Sequence, residues 1–173
     1  SSVGDGRTVA CHRGGIVPML EVSGLQKNLE GKQILLQISL TLYEGETLAL
    51  IGESGSGKTT LAKTLMGLWP VDGGTFRIDG QAGWDRHQFY ERIQLVFQNP
   101  KEAFSHRLNV GDIVREPLDI HARGSQAERL EKVRKVLSEV DLPITAEFLQ
   151  RYPHQLSGGV AQRVAIARAL ILE

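Results

Sequence analysis

Eight consecutive residues, Gly52-Glu53-Ser54-Gly55-Ser56-Gly57-Lys58-Thr59, follow the spacing G-x-x-x-x-G-K-[ST]. Each residue type has a task in that pattern. Glycines let the backbone curl until successive N–H groups point inward around an anion. Lys58 supplies a compact positive charge for the β- and γ-phosphates of a nucleoside triphosphate, and the Thr59 hydroxyl is the kind of ligand Mg²⁺ accepts. With Thr60 next in the chain, Gly52–Thr60 is expected to bind the phosphates of ATP.

Such a loop must be held between a strand and a helix. Ahead of it, Thr47–Ile51 (TLALI) is a short, nearly unbroken apolar run, as in a parallel strand buried on both faces. Behind it, Leu61, Leu65 and Leu68 give Lys58–Leu68 helical spacing. That helix would aim the positive end of its dipole at the same anion. Met19–Leu25 and Gln33–Leu42 read as strands, with turns near Gly31–Lys32 and Glu44–Gly45. Thr75–Ile78 reads as a strand closed by an Asp79–Gly80 turn, and Ile93–Phe97 as a further buried strand ending at Gln98.

Beyond Asn99–Pro100 the chain turns helical. Ser125 followed by Glu128 predicts a capping box. Ala127, Leu130, Val133, Leu137 and Val140 would form the apolar face of the helix that follows. Glu128–Lys132 and Glu131–Lys135 are favourable i,i+4 pairs.

A second constellation stands near the end, Leu156-Ser157-Gly158-Gly159-Val160-Ala161-Gln162-Arg163, followed by Val164–Leu170. Ser157 can cap a helix whose first turn holds two glycines and leaves its N–H groups uncovered. This segment resembles the LSGGQ signature of ATP-binding cassette (ABC) ATPases, and Gln98 sits where that family has its Q-loop glutamine. The resemblance spans Met19 to Glu173. It implies an α/β fold: a P-loop NTPase (RecA-like) core with an antiparallel β subdomain and a helical subdomain. It also implies ATP with Mg²⁺, the metal contacted by Thr59 and Gln98. Ser157, Gly158 and Gly159 would complete the site of a second, head-to-tail ATPase subunit in trans.

Phe97–Pro100, Val110–Leu118 and Arg151–Gln155 narrow the resemblance to the peptide/nickel (oligopeptide, dipeptide) importer group. That group implies transmembrane permease subunits, a solute-binding protein upstream, and a peripheral place on the cytoplasmic side of the cell membrane. Gln98 would link the permease contact to the γ-phosphate and metal. Only 57 residues separate Gln98 from Leu156, which favours a transporter over chromosome-structure relatives with long coiled-coil insertions. A soluble ABC-type ATPase of DNA repair or translation, and a nucleotide-binding fragment without turnover, stand as alternatives.

Three positions depart from the family pattern. Leu29 takes the place of the aromatic that stacks on adenine, Val160 stands at the fifth signature position in place of Gln, and the sequence reaches Glu173 ahead of the Walker-B strand. The Walker-B Asp, the catalytic Glu and the switch His would all lie beyond, and Glu173 and His154 are not their substitutes. These residues alone are accordingly expected to be marginally stable and catalytically silent, with the C-terminal part of the core missing.

The domain organisation expected is an extension or scar without structure at 1–18, an ATP-binding core at 19–98 and a helical subdomain at 99–173. Twenty basic against 20 acidic residues give no electrostatic footprint for nucleic acid. Cys11 is the only cysteine, so no intrachain disulfide can form. No apolar stretch reaches the ~20 residues that span a bilayer, so a membrane role would come through a partner.

Overall fold

A computed structural model describes residues 2–3, 7–8, 17–83 and 86–173, with side chains from 17 to 83 and from 88 onward. Most of the expected extension at 1–18 lies outside the described residues; within it, β1 (Ser2–Val3) pairs antiparallel with β2 (Arg7–Thr8). The chain divides into two compact units, residues 1–85 and 86–173.

The first unit is built on a three-stranded antiparallel sheet in the order β4-β3-β5, formed by β3 (Pro18–Leu29), β4 (Lys32–Tyr43) and β5 (Gly73–Ile78). A two-residue turn at Glu30 (φ 51°) and Gly31 (φ 76°) joins β3 to β4. Both residues are left-handed, which matches the right-handed twist of the strands they connect. Where β5 crosses β3, the backbones approach so closely that a Cβ on Gly74 would fall on the main chain of Gly24. Only glycine fits there. Val22, Leu25, Leu35 and Leu61 form the core of this unit, the last contributed by helix α1 (Lys58–Leu65). Burial of each leucine is worth roughly 1.5–3 kcal/mol.

Thr47–Ile51 departs from expectation. It lies outside any ladder among the described residues, and Leu48, Leu50 and Ile51 are 44%, 46% and 95% exposed. Ile93–Phe97 likewise runs without pairing among them. The physical reason is that an apolar run specifies burial, whereas a strand also needs neighbouring backbone for its N–H and C=O groups. The remaining strand expectations hold, β3 and β4 each running a few residues longer than read.

The second unit is helical. It contains α2 (Arg86–Arg92), α3 (Pro100–Ala103), α4 (Val110–Ile120), α5 (Gln126–Glu139), α6 (Ala146–Leu149) and α7 (Gly158–Leu170). A 3-10 turn, Pro153–Gln155, precedes α7. Side-chain caps fix the starts of four of these helices: Asn109, Ser125, Thr145 and Ser157 each accept a hydrogen bond from the backbone N–H three residues on. The capping box at Ser125–Glu128 is closed from both sides.

The core of this unit gathers Val110, Ile113, Val114 and Leu118 from α4, Val133, Val136 and Leu137 from α5, and Ala161 and Val164 from α7. The buried face of α5 is therefore shifted from the one expected, since Ala127 and Leu130 are exposed and Val136 is buried. Lys135 pairs with Glu139 at 3.8 Å, a surface contact worth little. Arg168 reaches Glu116 at 2.8 Å and ties α7 to α4. Among the described residues, no helix is long and apolar enough to cross a membrane.

Candidate functional site

The phosphate loop is closed by its own lysine. Lys58 Nζ donates to the carbonyl oxygens of Gly52 (2.7 Å) and Glu53 (2.6 Å) and to Ser56 Oγ (3.2 Å). A turn bond from Ser56 N to Glu53 O (3.2 Å) tightens the same loop. At Gly52 an added Cβ would lie 2.7 Å from Ser56 Oγ, so a side chain there would have to displace the Ser56 hydroxyl.

Gly57 forms the joint between loop and helix. It is left-handed (φ 95°), and its carbonyl accepts the first helical bond of α1 from Leu61 N at 2.8 Å. No side chain caps this helix start and no acidic residue lies in its first turn, so the positive end of the helix dipole is uncompensated. Beneath Gly57, a Cβ would meet Leu35 Cδ2 at 3.2 Å and the Ile34 carbonyl at 3.4 Å, which makes β4 the floor of the site. Sequence reasoning missed this floor; its only local signal is the apolar pair Ile34–Leu35 inside β4.

Backbone amides, a helix start and one ammonium group on a glycine curl fit the phosphates of a nucleotide. Thr59 is exposed and Thr60 half-buried, on the first turn of α1. Among the described residues no group of three or more His, Cys, Asp or Glu could hold a metal. The Thr59 hydroxyl, exposed on the first turn of α1, is an oxygen ligand of the kind Mg²⁺ accepts.

The other predicted site residues belong to the second unit. Gln98 is exposed, just ahead of α3, and its neighbour Asn99 donates from Nδ2 to Glu102 Oε1 at 3.3 Å. Ser157 caps α7 by accepting from Val160 N at 3.4 Å. Gly158 and Gly159 are exposed, and a Cβ on either would meet open space. Packing among the described residues therefore does not require these two glycines. Val160 is half-buried against the helical core, which accounts for an apolar residue at that position. Ahead of the cap, Gln155 Oε1 accepts from Tyr152 N at 2.8 Å, and the Tyr152 and His154 rings stack with centroids 5.9 Å apart.

Comparison with known proteins fits this arrangement. The family model described as ABC transporter matches residues 35–173, most of the chain. The chain belongs to the ABC transporter family. Its fold is the P-loop NTPase fold of ABC ATPases, with antiparallel β and helical parts, as the sequence resemblance implied.

Among curated ABC relatives, a Brucella ovis protein whose name assigns it to peptide import as an ATP-binding protein is 39% identical over 165 residues, covering 90% of this chain and 51% of its own. A Brucella abortus protein with the same assignment is 41% identical over 155 residues, covering 83% and 45%. The chain thus spans about half the length of the curated relatives it matches.

Two solved ABC structures are similar. One is cbiO1 from Clostridium perfringens, described as part of the ABC transporter complex cbiONQ: TM-score 0.75, 26% identity, 90% of this chain and 62% of that one. The other is a dimeric ATP-binding cassette in a post-hydrolysis state bound to ADP and Pi: TM-score 0.76, 31% identity, 88% and 69%.

Proposed function

We propose that this chain forms the nucleotide-binding part of the ATP-binding subunit of an ABC importer for peptides or a similar small solute. One observation carries the reading: the uncapped, left-handed start of α1 at Gly57, with Lys58 folded across the glycine loop onto the carbonyls of Gly52 and Glu53. In this reading Gly52–Thr60 bind the ATP phosphates, and Lys58 turns from the loop carbonyls to the β- and γ-phosphates. Thr59 and Gln98 contact Mg²⁺. Residues 19–98 act as the ATP-binding core and 99–173 as the helical subdomain, so that residues 86–98 of the second compact unit serve the core.

Ser157, Gly158 and Gly159 then meet the γ-phosphate held by a second subunit. The dimeric solved relative, with ADP and Pi bound, supports both the nucleotide and the pairing. The names of the curated relatives support peptide uptake. Membrane attachment at the cytoplasmic side comes through permease subunits, with a solute-binding protein delivering the cargo. ATP hydrolysis belongs to the whole subunit; the residues named here bind, balance charge and position.

Calorimetric titration of the chain with Mg-ATP tests the reading. Saturable binding that is about a hundredfold weaker in Lys58→Ala is the expected result. Equal heats from both proteins would sink it.

A further inference from the structure

Lys27 is a buried cation in the sheet that carries the phosphate loop. Its side chain is 6% exposed, and it lies on β3, the strand that also gives Val22 and Leu25 to the first unit's core. A buried ammonium is costly unless it is paired. Its partner is 45 residues away: Lys27 Nζ donates to Asp72 Oδ1 at 3.0 Å, and Asp72 Oδ2 accepts from the backbone N–H of Asn28 at 2.6 Å. Asp72 N in turn donates to Gln26 O at 3.1 Å. One aspartate thus grips three successive residues of β3.

The place of this grip matters. In the β3–β4 ladder Lys27 stands directly opposite Leu35. Leu35 is the residue whose Cδ2 lies 3.2 Å from where a Cβ of Gly57 would be, so it is the floor on which the loop-to-helix joint rests. Asp72 bonds Lys27, Lys27 pairs in register with Leu35, and Leu35 lies against Gly57, which relates the residue ahead of β5 to the phosphate loop.

We propose that the Lys27–Asp72 pair is a positioning element of the nucleotide site, fixing β3 to the residue ahead of β5 so that Leu35, opposite Lys27 on β4, stays where it seats Gly57 and its loop. Both residues are positioning residues and touch no substrate. The inference rests on the reading of Gly52–Thr60 as the ATP site. Neutralising Asp72 leaves the Lys27 ammonium without its partner; the lysine must turn toward water, and Leu35 loses its support. The Asn28 N–H, followed by Lys27, holds the Asp72 carboxyl below the ordinary carboxylate range, as expected for a group ionised in the clamp.

The test is Mg-ATP affinity by calorimetry together with hydrogen exchange, on the 173-residue chain, for wild type, Asp72→Asn, Lys27→Gln and Lys58→Ala. Expected is a loss of affinity of at least about tenfold in Asp72→Asn, which strands a buried charge, and about threefold in Lys27→Gln, which does not. Exchange should rise at Ile34–Leu35 and Gly57–Leu61, while the Glu21–Arg77 rungs of β3–β5 stay protected.

Wild-type affinity in folded Asp72→Asn would overturn the proposal, as would a uniform rise of exchange across the first unit, the mark of a purely structural pair. If Asp72→Asn does not fold, Lys27→Gln decides: affinity within error of wild type refutes the proposal. Failure of the underlying reading looks different, because wild type itself would then bind no nucleotide or Lys58→Ala would bind as well as wild type.

Discussion

Lys58 Nζ lies 2.7 Å from the carbonyl oxygen of Gly52, so the first and seventh residues of the phosphate loop are fastened to each other. The lysine therefore has two jobs, closing the loop on itself and offering a charge to an anion. Its alanine variant loses both. A charge-assisted hydrogen bond is worth about 1.5–3 kcal/mol, so Lys58→Ala should weaken Mg-ATP binding by about a hundredfold. Equilibrium titration checks this.

Gly57 permits a sharper experiment. A side chain there must take up φ 95° and press on Leu35 and the Ile34 carbonyl. Gly57→Ala should cost about 1–3 kcal/mol of stability and remove nucleotide binding. Denaturant unfolding should locate the loss in the first unit.

The signature helix behaves in the opposite sense. Because a Cβ on Gly159 meets open space, Gly159→Ala should leave α7 intact, or stabilise it by up to about 1 kcal/mol through helix propensity. Ser157→Ala removes the cap and should cost about 0.5–1 kcal/mol. Thermal melting of both variants gives the two signs. A melting temperature that falls for Gly159→Ala would show that the helix start is packed.

Acid should loosen the helical unit through Asp119. Burial pushes its carboxyl upward, but hydrogen bonds from Arg115 and Arg129 outweigh that and hold it below the ordinary value of 3.8. A depressed carboxylate contributes stability above its unfolded pKa and loses it as pH falls through the folded one. The contribution is therefore complete at neutral pH and disappears on acidification below about pH 4. In Asp119→Asn the acid limb of a pH–stability curve should be shallower than in wild type. Parallel curves would remove Asp119 from the account.

Leu29 closes β3 at the hairpin, at the position where the sequence resemblance implies an aromatic for the adenine ring. Stacking of a base on an aromatic is worth ~1–3 kcal/mol. ATP and GTP should therefore bind with similar affinity, and Leu29→Tyr should favour ATP by about tenfold. Competition titrations with both nucleotides provide the check.

What could be read in the residues alone follows a physical rule. The glycine curl at Gly52–Gly57, the Ser157 cap and the Ser125–Glu128 box are short-range devices, and a few neighbouring residues suffice to specify them. The buried face of α5 is not legible in its spacing, because Ala127 and Leu130 keep the helical period without being covered. Thr47–Ile51 has the pattern of a central strand, yet pairing depends on a neighbour that no local pattern names. The Asp72 grip on Lys27 joins positions 45 apart and has no sequence motif at all.

The open course of Thr47–Ile51 changes the energetics of capture. The loop rests on β4 at Gly57 and is held at Gly52 by Lys58 alone, while the approach to Gly52 runs unpaired among the described residues and exposed. Fixing a residue's backbone costs roughly 1–2 kcal/mol. Nucleotide binding should consequently have an unfavourable entropy, and any group that settles against Leu48, Leu50 and Ile51 would raise affinity from a distance by bearing part of that ordering in advance.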